Sequence, residues 1–149
     1  MHTDLRVLKE QLKKQKQLEY LATLETANQR DLLLAARTYY VRTDGDDSSN
    51  GLTDTPTGAF ATLEHAVNVV CDELDLGPYN VTIQLGNGTH TLNGQLYLRS
   101  IVGTGLPSII GNTVTPSSVI VLQTVVGIGG IVLATHAVWF LDGFKLRKA

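Results

Sequence analysis

The sequence has little cysteine, proline or charge. Its 149 residues include one cysteine, Cys71, and four prolines, and 17% of them are charged. A single cysteine excludes an intrachain disulfide, so no oxidised scaffold holds the fold together. The low charge and proline content also argue against a disordered chain. Hydrophobic residues make up 43% of the sequence, which is enough for one core.

The sequence also lacks a secretory signal and a strong charge of one sign. A secretory signal peptide requires an uninterrupted apolar run near the N-terminus, and none occurs, so we expect synthesis in the cytoplasm.

The charge is distributed unevenly. Residues 1–42 carry eight Lys and Arg against five Asp and Glu, a net charge of +3, and residues 43–149 carry four against nine, a net charge of −5. This basic excess is too small to predict a nucleic-acid partner, but it favours an acidic protein partner.

Residues 4–38 predict one long helix, because they are rich in Leu, Lys, Gln, Glu and Ala and contain neither glycine nor proline. Their leucines keep a heptad spacing at first and then recur every third residue, so the apolar stripe is narrow. A trimeric coiled coil and an amphipathic helix packed on another protein both fit this pattern. Either one requires a partner. The expected attachment or oligomerisation residues are Leu5, Leu8, Leu12, Leu18, Leu21, Leu24 and Leu32.

The segment after this helix reads as a strand, a loop and a second helix. Residues 39–41 favour a strand, and residues 44–51 are nearly all turn formers. Apolar residues then recur at helical spacing, so one face of a helix over residues 60–76 should be buried. The residues on that face are Phe60, Leu63, Val67, Val70 and Leu74.

Short strands are predicted from residue 79 onward. Val81, Ile83 and Leu85 alternate with polar residues, and Leu96 and Leu98 do the same, which places apolar side chains on one face of each strand. Glycine and asparagine turns separate these runs, and further strands are expected over residues 118–122, 130–134, 137–141 and 144–147. A sandwich and a solenoid both fit this pattern.

Parts of the sequence resemble a known family. The relevant residues are Tyr40 to Gly45, Asp47, Gly51 and Leu52, then Gly58, Ala59, Phe60, Thr62, Ala66 and Val67, then Tyr79 to Leu85, Gly88 and Thr89, and finally Ile110 to Asn112, Thr115 and Pro116. They are similar to the start of the right-handed parallel β-helix domains of bacteriophage tail fibres and tailspikes, which have the pectate-lyase-like fold.

The resemblance implies a fold and a domain organisation. The expected fold is mainly β, with a long N-terminal helix followed by the first coils of a right-handed parallel β-helix. Residues 1–38 would attach the chain to the virion or trimerise it. Residues 39–149 would start the β-helix, with an entry strand and loop at 39–59, a capping helix at 60–76 and coils at 79–149. We also expect further coils beyond residue 149, or a neighbouring chain that covers the last one.

The resemblance also implies a setting. It predicts a structural virion protein in a phage tail or another surface appendage, as a homotrimer, with a tail or head attachment protein as its partner. A host cell-surface polysaccharide or receptor would be the target of adhesion. The alternative is the N-terminal portion of a polysaccharide depolymerase, a lyase or glycoside hydrolase, with its active site on coils outside this sequence.

The residues themselves predict no catalytic, cofactor or metal site. Asp44, Asp46, Ser48 and Asn50 alternate like a calcium loop, but the glycine and the glutamate that such a loop needs are absent, which favours a solvated turn. The histidines at 65, 90 and 136 lack metal-ligand spacing. No serine-nucleophile motif occurs.

A small membrane protein is the remaining alternative. Residues 119–141 are long and mostly apolar, and basic residues follow them. Against a span stand the polar side chains of Gln123 and His136, the glycines at 127–130 and the many β-branched residues, which suit buried strands. The sequence therefore favours strands here over a membrane span.

Overall fold

A computed structural model of the chain describes residues 5–125 and 130–149, with the side chains of the first helix described as far as Leu21. The chain divides into two compact units, Met1–Arg30 and Asp31–Ala149. The first unit contains helix α1 (Leu5–Asn28). The second unit contains every described strand and the second helix.

The second unit is built from short elements. In chain order they are β1 (Asp31–Leu32), β2 (Arg37–Val41), α2 (Leu63–Asn68), a π-helical turn (Val69–Glu73), β3 (Leu74–Asp75), β4 (Val81–Leu85), β5 (Gly88–Leu92), β6 (Leu96–Leu98), β7 (Pro107–Ile110), a 3₁₀ turn (Pro116–Ser118), β8 (Val119–Gln123), β9 (Ile131–Leu133), β10 (Phe140–Asp142) and β11 (Lys145–Lys148). No strand exceeds five residues among those described.

These strands form small parallel sheets. One sheet has the order β10-β7-β4-β2, a second has the order β11-β8-β5, and two further pairs join β6 with β9 and β1 with β3. Every strand pair in the described part of the chain is parallel. Parallel neighbours need long connections, which explains why strands adjacent in a sheet are distant in sequence.

The core follows the register of the largest sheet. Tyr39 lies opposite Ile83, and Ile83 lies opposite Ile109, so the three side chains stack on one face. All are at most 4% exposed. Apolar and polar residues alternate in β4, and burial alternates with them. Val81, Ile83 and Leu85 face the core, and the residues between them are half-buried.

Helix α2 packs its apolar face into this core. Thr62 caps its N-terminus, because Thr62 Oγ1 accepts a hydrogen bond from His65 N at 3.3 Å. Leu63 and Val67 are buried, and so are Val70 and Cys71 in the π-helical turn. The helical segment stops at Glu73 because Leu74 enters strand β3, which pairs with β1.

The prediction of one long N-terminal helix over residues 4–38 was wrong. Helix α1 ends at Asn28, and strands β1 and β2 occupy part of the segment predicted as helix. Leu33 and Tyr39 are buried in the core of the second unit, and the burial of apolar side chains outweighs local helix propensity. The described residues form no coiled coil.

The rest of the predicted fold class was also wrong. The helix expected over residues 60–76 is reduced to α2 and the π-helical turn, Leu63 to Glu73. The strands lie in small parallel sheets of two to four strands, and no β-helix is detected among the described residues. Alternation in sequence specifies which face of a strand is buried, but it does not specify how separate strands assemble. The inference from alternating strands and a family resemblance to a β-helix therefore went further than the alternation supports.

The described part of the chain contains no helix that is long and apolar enough to cross a membrane. The segment proposed as a span instead contains strands β8, β9 and β10, with residues 126–129 outside the described ranges. This agrees with the interpretation that favoured strands over a span.

Candidate functional site

Helix α1 carries most of the residues expected to mediate attachment. Leu5, Leu8, Leu12, Leu18 and Leu21 are between 48% and 68% exposed. Full burial of one leucine side chain contributes roughly 1.5–3 kcal/mol, so this surface could support substantial association. The side chain of Leu24 lies outside the described ones. Leu32 lies on β1 rather than on the helix, and it is exposed.

The residues expected to form a cap are core residues. Phe60, Leu63, Val67, Val70 and Leu74 are all at most 2% exposed. The Phe60 ring stacks on Tyr39 with centroids 5.5 Å apart and meets the edge of His65 at 4.7 Å. These side chains stabilise the fold and are inaccessible to a ligand.

An exposed ion-pair cluster organises the loop after β2. The guanidinium of Arg42 donates from Nε to Asp44 Oδ1 at 2.8 Å and from Nη1 to Asp54 Oδ1 at 3.1 Å. The hydrogen bonds to Asp44 and Asp54 raise the pKa of Arg42, and the same contact with Arg42 lowers the pKa of Asp44. Both carboxylates are solvated, so the cluster orders the loop more than it stabilises the fold.

The other oxygens of this loop also have partners within the chain. Asp46 accepts hydrogen bonds from the backbone N–H and the hydroxyl of Ser48, and the backbone bond is the main reason that the pKa of Asp46 is lowered. Asp47 accepts from Ala61 N and Thr62 N, and Asn50 accepts from Leu52 N. No group of three or more Asp, Glu, His or Cys suited to a metal ion occurs among the described residues.

The histidines at 65, 90 and 136 have separate surroundings. His65 packs against Phe60, and His136 has a left-handed backbone with φ of 64°. His90 is buried, and its Nε2 lies 2.8 Å from Gly86 O. Its Nδ1 has no hydrogen-bond partner among the described protein atoms, and neither has the amide of the buried Gln123.

A polar groove runs along the outer face of the four-stranded sheet. It has a volume of about 380 Å³, and Tyr40, Gln84, Asn87, Asn112 and Asp54 contribute to its lining. Gln84 Nε2 donates to Gly111 O at 3.0 Å, and Asn112 Nδ2 donates to Asn87 Oδ1 at 3.3 Å. The groove therefore presents one amide held by a backbone carbonyl and two amides that bond to each other, beside one aromatic ring and one carboxylate.

A second concave surface lies at one end of the second unit, and we call it the end face. Its volume is about 490 Å³, and its apolar lining includes Leu98, Ile131, Trp139, Phe144 and Leu146. The indole of Trp139 is fixed by a hydrogen bond from Nε1 to Arg99 O at 2.9 Å. The sequence analysis expected strands over most of this segment and an uncovered last coil, but it did not predict a concave apolar surface here, because Leu98 comes from a distant part of the chain.

The comparisons with known proteins give no relative for this chain. No protein family, no curated protein and no solved structure matches it.

Proposed function

We propose that this chain is a structural component of a phage virion, part of a tail fibre or tailspike. Helix α1 attaches the chain to the particle, and the strand-rich unit is displayed toward the host. The observation that carries the proposal is the exposure of the helix leucines, since an exposed apolar surface of this kind favours association. The setting comes from the resemblance to tail-fibre proteins, which is carried by Tyr40 to Gly45 and by Gly58, Ala59, Phe60, Thr62, Ala66 and Val67.

The proposed attachment is either self-association, as a homotrimer, or docking on a tail or head protein. Both would bury the same leucines, and both depend on apolar contact more than on charge. Analytical ultracentrifugation of the full chain distinguishes them. A trimeric mass indicates self-association, and a monomeric mass assigns the leucines to a particle protein.

Two paired variants test the role of the helix. Leu8→Lys with Leu12→Lys removes apolar surface from α1, whereas Gln11→Lys with Gln15→Lys adds the same charge at the same spacing and keeps the leucines. We expect the first pair to abolish incorporation of the chain into particles and the second to leave it unchanged. Mass spectrometry of purified particles measures both.

A deletion defines the boundary of the attachment segment. Removing residues 1–30 should abolish incorporation while the circular dichroism and cooperative unfolding of the second unit persist. The cut must spare Leu33 and Arg37–Val41, because these residues contribute to the core and to the largest sheet. Unchanged incorporation of the deletion variant would refute the attachment role.

Host adhesion is the second part of the proposal. The polar groove offers amides, a hydroxyl and an aromatic ring, which suit the hydroxyl groups and the apolar ring faces of sugars. We expect host surface polysaccharide to bind the chain, and Tyr40→Ala with Asn87→Ala to weaken binding. Asn93→Ala, outside the groove, is the control. Equal binding by the unchanged chain, the Tyr40→Ala with Asn87→Ala variant and the Asn93→Ala control would exclude the groove as the adhesion site.

A further inference from the structure

The end face combines an apolar floor with the edges of three sheets. Strands β9, β10 and β11 each pair with one neighbour only among the described strands. Residues of all three strands line the floor, namely Ile131 and Leu133, Leu141 and Asp142, and Leu146. The edges of three sheets therefore surround one hydrophobic surface.

The outer edge of β11 offers backbone hydrogen-bonding groups. Ala149 N donates to Gln123 O of β8 at 2.9 Å. Successive N–H groups of a strand in a parallel sheet point to opposite sides. The N–H groups of Leu146 and Lys148 are therefore directed away from β8, toward the position that a further strand would occupy.

The register of β11 on β8 determines which side chains face inward. Leu146 lies opposite Val121, and Lys148 lies opposite Gln123. Val121 and Gln123 are both buried, so Leu146 and Lys148 lie on the inward face of β11, while Lys145 and Arg147 lie on the outward face. On an added strand, the residue next to Leu146 would thus face an apolar side chain, and the residue next to Lys148 would face a cation.

Gln123 and Lys148 lie next to each other on the inward face and form a polar column, which supports a polar neighbour for Lys148 on the added strand. Gln123 is 1% exposed, and neither its amide nitrogen nor its amide oxygen has a hydrogen-bond partner among the described protein atoms. Lys148 follows Gln123 in the same inward column and is itself exposed. Covering Lys148 with an apolar residue would bury an unpaired charge, so any strand added here needs a carboxylate at that position.

We propose that the end face binds an extended acidic segment of a partner polypeptide, which adds to β11 as a parallel strand with an apolar residue beside Leu146 and a carboxylate beside Lys148. Strand addition supplies the affinity through main-chain hydrogen bonds, and the alternating side chains supply the specificity. A second copy joined through the same edge would bring the basic residues Lys145, Arg147 and Lys148 of two β11 strands together. Like charges on adjacent strands are unfavourable.

A synthetic peptide tests the proposal on the full chain. The probe is acetyl-Thr-Val-Thr-Val-Thr-Glu-Thr-amide, whose Val and Glu side chains match the inward positions. Two-dimensional ¹⁵N–¹H NMR should show shifts confined to the residues of β9, β10 and β11 and the end-face floor. A peptide with its third Thr N-methylated, between the second Val and Glu, should bind at least about tenfold more weakly, because the N–H of that residue is the donor that faces Leu146 O.

A charge swap identifies the ionic contact. Lys148→Glu should weaken the Glu peptide at least about tenfold, and a peptide with Lys in place of Glu should bind this variant better than the original chain. Lys13→Glu, on α1, is the control for total charge. Circular dichroism confirms that each variant is folded.

Three outcomes would overturn the proposal. They are no binding of the Glu peptide, shifts elsewhere in the protein, or equal binding of the Glu and Lys peptides. Concentration-dependent shifts of the end face without peptide would instead assign the surface to a second copy of the chain. Particle incorporation measured for the same Lys148→Glu variant separates this site from the attachment role of α1, which the substitution leaves intact.

Discussion

The carboxylate of Asp47 accepts hydrogen bonds from both the backbone N–H of Thr62, at 2.9 Å, and the Thr62 hydroxyl, at 2.7 Å. Thr62 is also the N-cap of helix α2. One loop carboxylate therefore fixes the residue that starts the helix. A third hydrogen bond, from Ala61 N to Asp47 Oδ1 at 2.8 Å, strengthens the connection.

Replacement of Asp47 should destabilise the fold. In Asp47→Ala three donors near the start of α2 lose their acceptor, so we expect the free energy of unfolding to fall by about 2–3 kcal/mol. Urea denaturation followed by circular dichroism measures the change. Asp46→Ala is the matched control, because the described hydrogen bonds of the Asp46 carboxylate come from Ser48 in its own turn, and its effect should be much smaller. Equal effects of the two variants would contradict the assigned role of Asp47.

Gly51 should tolerate no side chain. Its φ is +74°, and a Cβ at this position would lie 2.4 Å from Cε2 of Phe60. Gly51→Ala should therefore cost about 2–3 kcal/mol through the strained backbone and displacement of a core ring. Gly94→Ala is the comparison, because a Cβ there meets nothing within 4 Å. Its melting temperature should be unchanged or higher.

Burial predicts that two isoleucines, Ile83 and Ile120, contribute differently to the free energy of unfolding. Ile83 is fully buried between Tyr39 and Ile109, so Ile83→Ala should lower the free energy of unfolding by about 2–5 kcal/mol. Ile120 lies on the partly exposed face of β8, and Ile120→Ala should cost about 1 kcal/mol or less. Equilibrium denaturation of both variants would show whether burial determines the cost.

The ion pair of Arg42 predicts how Asp44 titrates. The pKa of Asp44 is lowered chiefly by its hydrogen bond to Arg42. A lowered folded-state pKa means that the stabilising contribution is present above the pKa of the unfolded chain and is lost as the pH falls through the folded value. NMR titration should find the pKa of Asp44 below that of an ordinary aspartate, and Arg42→Gln should raise it.

Asp46 provides an internal control for that titration. Its pKa is lowered by hydrogen bonds from Ser48 and not by Arg42. Arg42→Gln should leave the pKa of Asp46 unchanged while the pKa of Asp44 rises. Parallel shifts of the two carboxylates would indicate a general change in the loop rather than loss of one contact.

Local patterns predicted several strands. The alternation of Val81, Ile83 and Leu85 with polar residues corresponds to strand β4, in which these three side chains are buried. The turn formers after Val41 correspond to the loop that Arg42 and Asp47 organise. These features depend on neighbours in sequence, so the sequence contains enough information to predict them.

Long-range features were predicted poorly. The helix expected over residues 4–38 failed beyond Asn28, because Leu33 is buried in the core and Thr38 pairs with Thr82, far along the chain. The concave surface of the end face was not predicted, although strands over residues 130–134, 137–141 and 144–147 and an uncovered last coil were expected. Its floor joins Leu98 with residues near Trp139, and no periodicity connects positions so distant.

The sequence by itself determined which residues are apolar, where the chain turns and which face of β4 and of β6 is buried, because side-chain period and turn chemistry are local properties. Only the tertiary structure decided where α1 ends and which strands pair. Those outcomes depend on the relative burial of many distant side chains, and the burial of apolar surface outweighs the small helix preferences of single residues. The column of Gln123 and Lys148 arises in this way, from a strand register that neither residue specifies alone.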